Sequence, residues 1–328
     1  MIVRLGYVAM SMRVQNASPS KTMTATRFAQ IDDREAAVRK LERIAADNLH
    51  NTLRLLRHNR AHDIKLYRFS SRLIPLIGHD MLAGWDPFDV LADDFRAIGD
   101  YVKEHEMRVS FHPDHYTVLS TPRVDVLRSS VADLERHVRM LEAMGLDRRA
   151  KCNIHIGGAY GNKSKAFSRF IEHALRLPAR ILERLTLEND DKTFTALETL
   201  EACEKLGVPM VLDVHHHDIN PGGETVEALW PRIMATWANE SIPPKIHMSS
   251  PKSEKDPRGH ADYVQTGRLL EFLRMAARLG TEKLDVMLEA KLKDEALFKL
   301  MEELAGGGEK IAVLDQASFQ IDGKTGTA

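Results

Sequence analysis

The chain has only two cysteines, Cys152 and Cys203, far apart and outside any metal-binding spacing. Their scarcity excludes a disulfide framework and a cysteine-based zinc site, and it fits a reducing cytoplasm. A charge surplus is also missing: 46 Lys and Arg stand against 47 Asp and Glu, a formal net charge of −1. Nothing chain-wide advertises nucleic acid, so a DNA-binding reading needs positive charge gathered locally or brought by metal ions. Long apolar runs are absent too. The opening residues Met1-Ile2-Val3-Arg4-Leu5-Gly6-Tyr7 suggest neither a signal peptide nor a membrane span, so a cytoplasmic protein is expected, at the nucleoid if it acts on DNA.

What is present is a repeating pattern. Hydrophobic residues make up 43% of 328, enough for a large core. Short apolar runs recur at Ile2–Val8, Ile64–Phe69, Met107–Phe111, Cys152–Ile156, Leu185–Leu187, Pro209–Val214, Lys245–Met248 and Leu284–Leu288. Between them lie amphipathic stretches at helical spacing: Arg34–Asn59, Phe88–His105, Val126–Met144, Ala166–Leu182, Thr195–Leu206, Val226–Ala238 and Leu269–Leu279. A last stretch runs from Lys293 to Ala305 and stops at Gly306-Gly307-Gly308. Eight strand–helix units predict a parallel sheet closed into a (β/α)8 TIM barrel, a fold of about 250 residues. One domain over residues 1–305 is expected, with 306–328 a flexible polar tail. The first strand–helix loop, Met10 to Ile31, is long and rich in Ser, Thr, Asn and Gln, the mark of a functional loop or a disordered insertion.

The 15 histidines are informative by position. The strand ends read Ser110-Phe111-His112-Pro113, Asn153-Ile154-His155-Ile156-Gly157-Gly158, Leu187-Glu188-Asn189-Asp190, Asp213-Val214-His215-His216-His217, Lys245-Ile246-His247 and Leu288-Glu289-Ala290, with Gly259-His260-Ala261-Asp262 after the seventh. In a TIM barrel these ends converge on one mouth. There His112, His155, Glu188, Asp213, His216, His247, His260 and Glu289 would crowd together, a conflict that divalent cations resolve. Any one of them alone is an ordinary core or surface residue. Ligand types at six consecutive strand ends are what point to metal. Mixed nitrogen and oxygen ligation suits Mn²⁺, Zn²⁺ or Fe²⁺ better than Mg²⁺ or Ca²⁺. Eight ligands exceed one tetrahedral site and suit two or three ions with bridging carboxylates. Three such ions would carry six positive charges, of which Glu188, Asp213 and Glu289 cancel three. The mouth would then stay cationic in a near-neutral chain, a place for phosphate. Of the three consecutive histidines, His216 is the expected ligand. His215 and His217 are expected to be supporting or surface residues.

At these residues the sequence resembles the UV damage endonuclease family, itself similar in fold and metal cluster to endonuclease IV. The resemblance runs from Leu5-Gly6-Tyr7 to Leu288-Glu289-Ala290 and is most specific at Arg68-Phe69-Ser70-Ser71, Ser110-Phe111-His112-Pro113-Asp114-His115-Tyr116, His155-Ile156-Gly157-Gly158, Glu188-Asn189-Asp190-Asp191 and Asp213-Val214-His215-His216. It implies cleavage of the phosphodiester 5′ of cyclobutane pyrimidine dimers, (6–4) photoproducts and some abasic sites in double-stranded DNA, commonly with manganese. It implies one ion on His112, His155 and Glu188, a second on Glu188, Asp213, His247 and Glu289, and a third on His216 and His260. Glu188, Lys245 and Glu289 would be the catalytic residues. Lys245 would stand at the metals, either carbamylated into an anionic ligand or contacting phosphate. Tyr7, Ser11, His79, His115 and Tyr116 would meet the lesion, where rings can fill the space of extruded bases. The family pattern has Gln at the position of His115 and Asn at that of Ser11, so the lesion contacts are expected to differ in detail.

Basic residues fall in the loops expected at the mouth: Arg13, Lys21, Arg72, Lys163, Lys165, Lys252, Lys255, Arg258, Lys291 and Lys293. Together they suit a DNA backbone. The protein is expected to act as a monomer. Two other readings use the same residues. A xylose-isomerase-like sugar isomerase or epimerase shares the barrel and the ligand types but needs one or two ions in a closed pocket. A non-catalytic damage-recognition or metal-binding protein has no use for open metal positions.

Overall fold

The computed structural model describes residues 1–307 and 311–322. Eight parallel strands close a barrel: β1 (Ile2–Val8), β2 (Leu66–Arg68), β3 (Arg108–Phe111), β4 (Lys151–His155), β5 (Leu185–Glu188), β6 (Met210–Asp213), β7 (Lys245–Met248) and β10 (Lys283–Leu288), the last returning to pair with β1 from Ile2↔Lys283 to Tyr7↔Leu288. β8 (Pro251–Ser253) and β9 (Asp256–His260) form a hairpin in the loop after β7. The expected (β/α)8 TIM barrel is the observed fold, and each expected strand is found. The helices start on recognisable caps. Asp33 accepts from the backbone of Glu35 and Ala36, Asn162 from Lys165, and Thr195 closes a capping box with Glu198. One expectation splits: Ala166–Leu182 is two helices, Lys163–Leu175 and Ala179–Leu182, because Pro178 cannot continue the first.

Side chains alternate across each strand, and here the two faces differ in kind. The helix-facing side belongs to one large apolar cluster that includes Leu5, Tyr7, Tyr67, Phe111, Ile154, Leu187, Leu212, Ile246 and Leu288. The barrel interior is mostly polar, its apolar residues being Val211 and a small cluster of Val8, Leu66 and Met287. At its lower end Asp285 accepts from Arg4 Nε and Nη2, both at 2.7 Å, and from Arg108 Nη1 at 2.6 Å. At its upper end lie the predicted metal ligands. Interiors of this fold are ordinarily filled with branched apolar residues. Here the chemistry runs along the axis, and the layer between sheet and helices supplies the core.

Gly6 lies opposite Leu66 of β2. A Cβ there would lie 2.2 Å from the Leu66 carbonyl oxygen, and that backbone atom cannot swing aside. Gly6→Ala is expected to destabilise by about 1–3 kcal/mol, seen as a lower urea midpoint at unchanged slope.

The C-terminal stretch departs from expectation. Residues 311–321 are not a loose tail but a hairpin of β11 (Ile311–Asp315) and β12 (Ser318–Ile321), with β12 antiparallel to β1 at Ile2↔Gln320, Val3↔Phe319 and Arg4↔Ser318. The cause is the shortness of β2. It pairs only with Gly6–Val8 and leaves the lower edge of β1 open. β12 fills that edge and buries Ala317, Phe319 and Ile321. Residues 308–310 and 323–328 of the expected tail lie outside the described residues. The long first loop is tied down as well: Asn48 bonds the backbone of Lys21, and Arg54 donates to the carbonyls of Gln15 and Asn16. Among the described residues no helix is long and apolar enough to cross a membrane.

Candidate metal centre

Strand parity brings the ligands together. Asn153 and His155, Thr186 and Glu188, Val211 and Asp213, and Lys245 and His247 each share a face, and the last of each pair stands at the barrel mouth. Glu188 is the hub, 1% exposed. Its Oε2 lies 3.2 Å from His112 Nε2 and 3.0 Å from His247 Nδ1; its Oε1 lies 3.5 Å from His216 Nδ1 and 3.9 Å from His155 Nε2. Burial opposes ionisation of this carboxyl, but His247, His155 and His112 outweigh it and hold it well below the usual carboxylate range. His247 Nδ1 is also 3.0 Å from Glu289 Oε1. His216 is raised to about 9: burial works against its charge, and Asp213 and Glu188 overcome it.

Three groups have the geometry to hold a divalent ion: His112, His155 and Glu188; Glu188, Asp213 and His216; and Glu188, His247 and Glu289. The donor chemistry fits that role. His112, His155 and His216 each turn Nδ1 to a backbone carbonyl, of Pro113 (3.0 Å), Glu188 (3.2 Å) and Asn189 (2.9 Å). A carbonyl only accepts, so Nδ1 carries a proton; in His112 and His155, whose Nε2 atoms face Glu188, this leaves Nε2 as the potential ligand atom, the arrangement found at metal-bound histidines. Within the three groups, two buried side chains have atoms without a hydrogen bond: both ring nitrogens of His247, whose carboxylate contacts are close but misaligned, and Asp213 Oδ2. Orphaned atoms of this kind are costly unless something absent from the chain satisfies them.

The supporting residues are harder to read from sequence. Arg68 holds the Glu289 carboxylate, and Asn153 Nδ2 donates to Glu188 Oε2. The Asn153 amide is oriented in turn by Thr186 Oγ1, which donates to Asn153 Oδ1 at 2.7 Å. Asn189 clips β5 to β6, accepting from Asp213 N and donating to Asp213 O, both at 2.9 Å. Asn153 has one usable signal, its position two residues before His155 on the same face. Arg68 and Asn189 lie within family-like motifs, but nothing in those motifs assigns them a task.

Not every predicted site residue joins the centre. His260 sits at the rim in none of the three groups, its Nδ1 3.9 Å from Glu289 Oε2. Lys245 lies lower in the barrel, 2% exposed, with Nζ 3.3 Å from Ser110 Oγ. Burial, reinforced by Arg108 and Arg68, pushes its pKa down to about 7. Tyr7 is a correction. It is fully buried on the helix side, its hydroxyl donates to Asn59 Oδ1 at 2.6 Å, and its ring meets Tyr67 edge-on, so it cannot reach a duplex. Parity is the reason, since Val8 faces the barrel interior and Tyr7 the opposite side. Ser11 is occupied by Asp294 and thereby pins the first loop. His79 is exposed on another loop, where its Nδ1 accepts from Met81 N. His115 and Tyr116 stand exposed beyond β3, ring centroids 4.0 Å apart, with Tyr116 73% exposed. His215 and His217 are both buried; His215 bonds Ser249 Oγ and the Pro257 carbonyl, so neither is a surface residue.

Above the centre opens a cavity of about 540 Å³ lined by Arg68, His112, His155, Glu188, His216, Glu289 and Lys293. A second, of about 330 Å³, shares His112, His115, His155 and His216 with it. The sequence profile of the UV-endonuclease UvdE family matches residues 3–321, nearly the whole chain. The chain belongs to this family. A UV DNA damage endonuclease of Halalkalibacterium halodurans is 44% identical over 322 residues, covering 98% of this chain and all of that one. One from Bacillus pumilus is 46% identical over 303 residues, 92% and 94% of the two chains. The crystal structure of SacUVDE superposes with a TM-score of 0.81 at 29% identity, over 93% of this chain and 98% of that one. Endonuclease IV from Thermus thermophilus matches at TM-score 0.53 and 13% identity, over 92% of this chain and 99% of that one, a likeness of fold. Membership of the UvdE family decides against the sugar isomerase and the non-catalytic binder.

Proposed function

We propose that the chain hydrolyses the phosphodiester immediately 5′ to UV photolesions in double-stranded DNA, chiefly cyclobutane dimers and (6–4) photoproducts, as a monomer using two or three divalent ions, manganese foremost. One observation carries most of this reading: a single buried carboxylate, Glu188, belongs to all three potential ion sites. These ligands fit a set of closely spaced ions, which supply Lewis acidity and activate water when bound. The protein's own part is positional. Asn153 and Arg68 fix the two carboxylates, backbone carbonyls fix the imidazoles, and the open cavity leaves room for a sugar-phosphate link. His115 and Tyr116 are the exposed rings placed to probe the duplex. Among the described residues Lys245 makes no ion pair, and its burial lowers the pKa against the pull of Glu188 and Asp285, which supports a carbamate at this position; intact-mass measurement tests it.

The deciding experiment uses end-labelled, UV-irradiated duplex with the purified protein and manganese. A cut directly 5′ to the dimer is expected, abolished by chelator and restored by manganese, with two or three ions per chain by metal analysis. Uncut irradiated DNA alongside epimerisation of a ketose would sink the proposal.

A further inference from the structure

Lys293 breaks three local rules at once. It opens the helix Lys293–Gly306 at φ +49°, a left-handed backbone that a residue with a Cβ adopts only at a cost. It puts a cation at a helix N-terminus, where aligned peptide dipoles disfavour it; the next two residues, Asp294 and Glu295, are acidic, as that end favours. Its side chain is half-buried, yet among the described residues its ammonium makes no hydrogen bond or ion pair. Burial, with Arg68 nearby, lowers its pKa against the pull of Glu289.

The ammonium lines the 540 Å³ cavity above the metal centre. The other cations lining that cavity are engaged: Arg68 on Glu289 and Arg72 on Asp114. Around the rim, Arg13 and Arg258 are likewise paired, with Glu295 and Asp191. Among the described residues Lys293 is therefore the lysine or arginine of this cavity whose charge has no carboxylate partner. A metal ion would be repelled by it, so the missing partner is an anion. Strain, an unfavourable dipole and unmet donors persist together where a ligand supplies the compensation.

We propose that Lys293 is a phosphate-binding residue of the active site, its ammonium contacting a non-bridging oxygen of the phosphodiester that is cut. This rests on the endonuclease reading. It separates Lys293 from the solvated basic residues that track the backbone, because a partly dehydrated ammonium fixed beside the reacting phosphate strengthens its hold as negative charge builds on the oxygens.

The test compares wild type, Lys293→Met and Lys293→Arg on UV-irradiated duplex with manganese, under single turnover and saturating enzyme. Lys293→Met is expected to slow incision about 100-fold, and Lys293→Arg to recover most of the loss. Bound metal should be unchanged in both. The log–log salt dependence of DNA affinity should become shallower by about one unit in Lys293→Met. Its thermal midpoint should not fall, since a half-buried, unpaired cation has been removed and the backbone strain at φ +49° is the same for Met. A Met variant that cuts at the wild-type rate with the wild-type salt slope overturns the assignment. So does one that loses metal while the Arg variant is equally inactive, which would make the role structural. If wild type makes no cut, the endonuclease reading fails first and this assignment falls with it; a cutting wild type beside a fully active Met variant fails this assignment alone.

Discussion

Glu188→Gln is expected to lower the rate of incision by about 10³-fold or more, while the variant stays folded and still binds damaged duplex. The substitution keeps the side-chain volume and can keep a carbonyl oxygen toward the Asn153 amide, so the packing around it is preserved. The shared anion is lost, and with it the one ligand common to the three groups. Four imidazoles then face a neutral amide, and the cations they were arranged around lose their common counter-charge. Two measurements separate this from unfolding. Manganese at about 100 times its dissociation constant should raise wild-type stability by about 2.7 kcal/mol, and that increment should shrink in the variant. The metal-free variant should melt lower than the metal-free wild type but in one cooperative transition, because the ionised carboxylate it replaces pairs with His112 and His247. A variant that cuts normally would show that Glu188 is not the hub.

Asp285→Asn is expected to cost about 3–5 kcal/mol of folding free energy and to act through the opposite end of the barrel. Asp285 is fully buried and holds two guanidiniums, Arg4 and Arg108. Burial lowers the pKa of Arg108, and Asp285 is the main opposing influence. Once the carboxylate is neutral, a buried positive charge is left without compensation. A urea titration should record the loss. Replacing the cation as well, in Arg108→Met with Asp285→Asn, should recover part of it, because the unpaired charge rather than the missing bond is what destabilises. Below the melting range the incision rate should fall far less than in Glu188→Gln, since Asp285 bonds Arg4 and Arg108 and none of the residues of the three ion groups. Full recovery of stability without the second substitution is not expected.

Much of this barrel is legible in the sequence because two periodicities alternate along it. Strands found within two residues of their expected bounds, such as Ile2–Val8 and Lys245–Met248, are runs whose β-branched content and flanking helices agree. The ligands are legible because His and carboxylates are conspicuous at strand ends. What escapes depends on information that local pattern does not hold. Tyr7 lies at a strand end like His155, but its parity relative to the barrel interior is fixed only by register. Arg68, Asn153 and Asn189 are ordinary residue types whose importance comes from what they touch. The hairpin Ile311–Ile321 is hidden because its alternation is short and set in polar, Gly-bearing surroundings, and its partner is the first strand of the chain.

That hairpin has a consequence for self-association. By covering the lower edge of β1 it removes one template for strand addition and moves the exposed edge outward to β11. The outer side of β11 has no strand partner among the described residues, and Val313 and Leu314 are about half exposed there, at 48% and 50%. An edge of that kind invites a neighbouring molecule to add a strand. The register shift between Val313 and Asp315 kinks it and breaks its run of aligned amides, limiting how far such pairing could propagate.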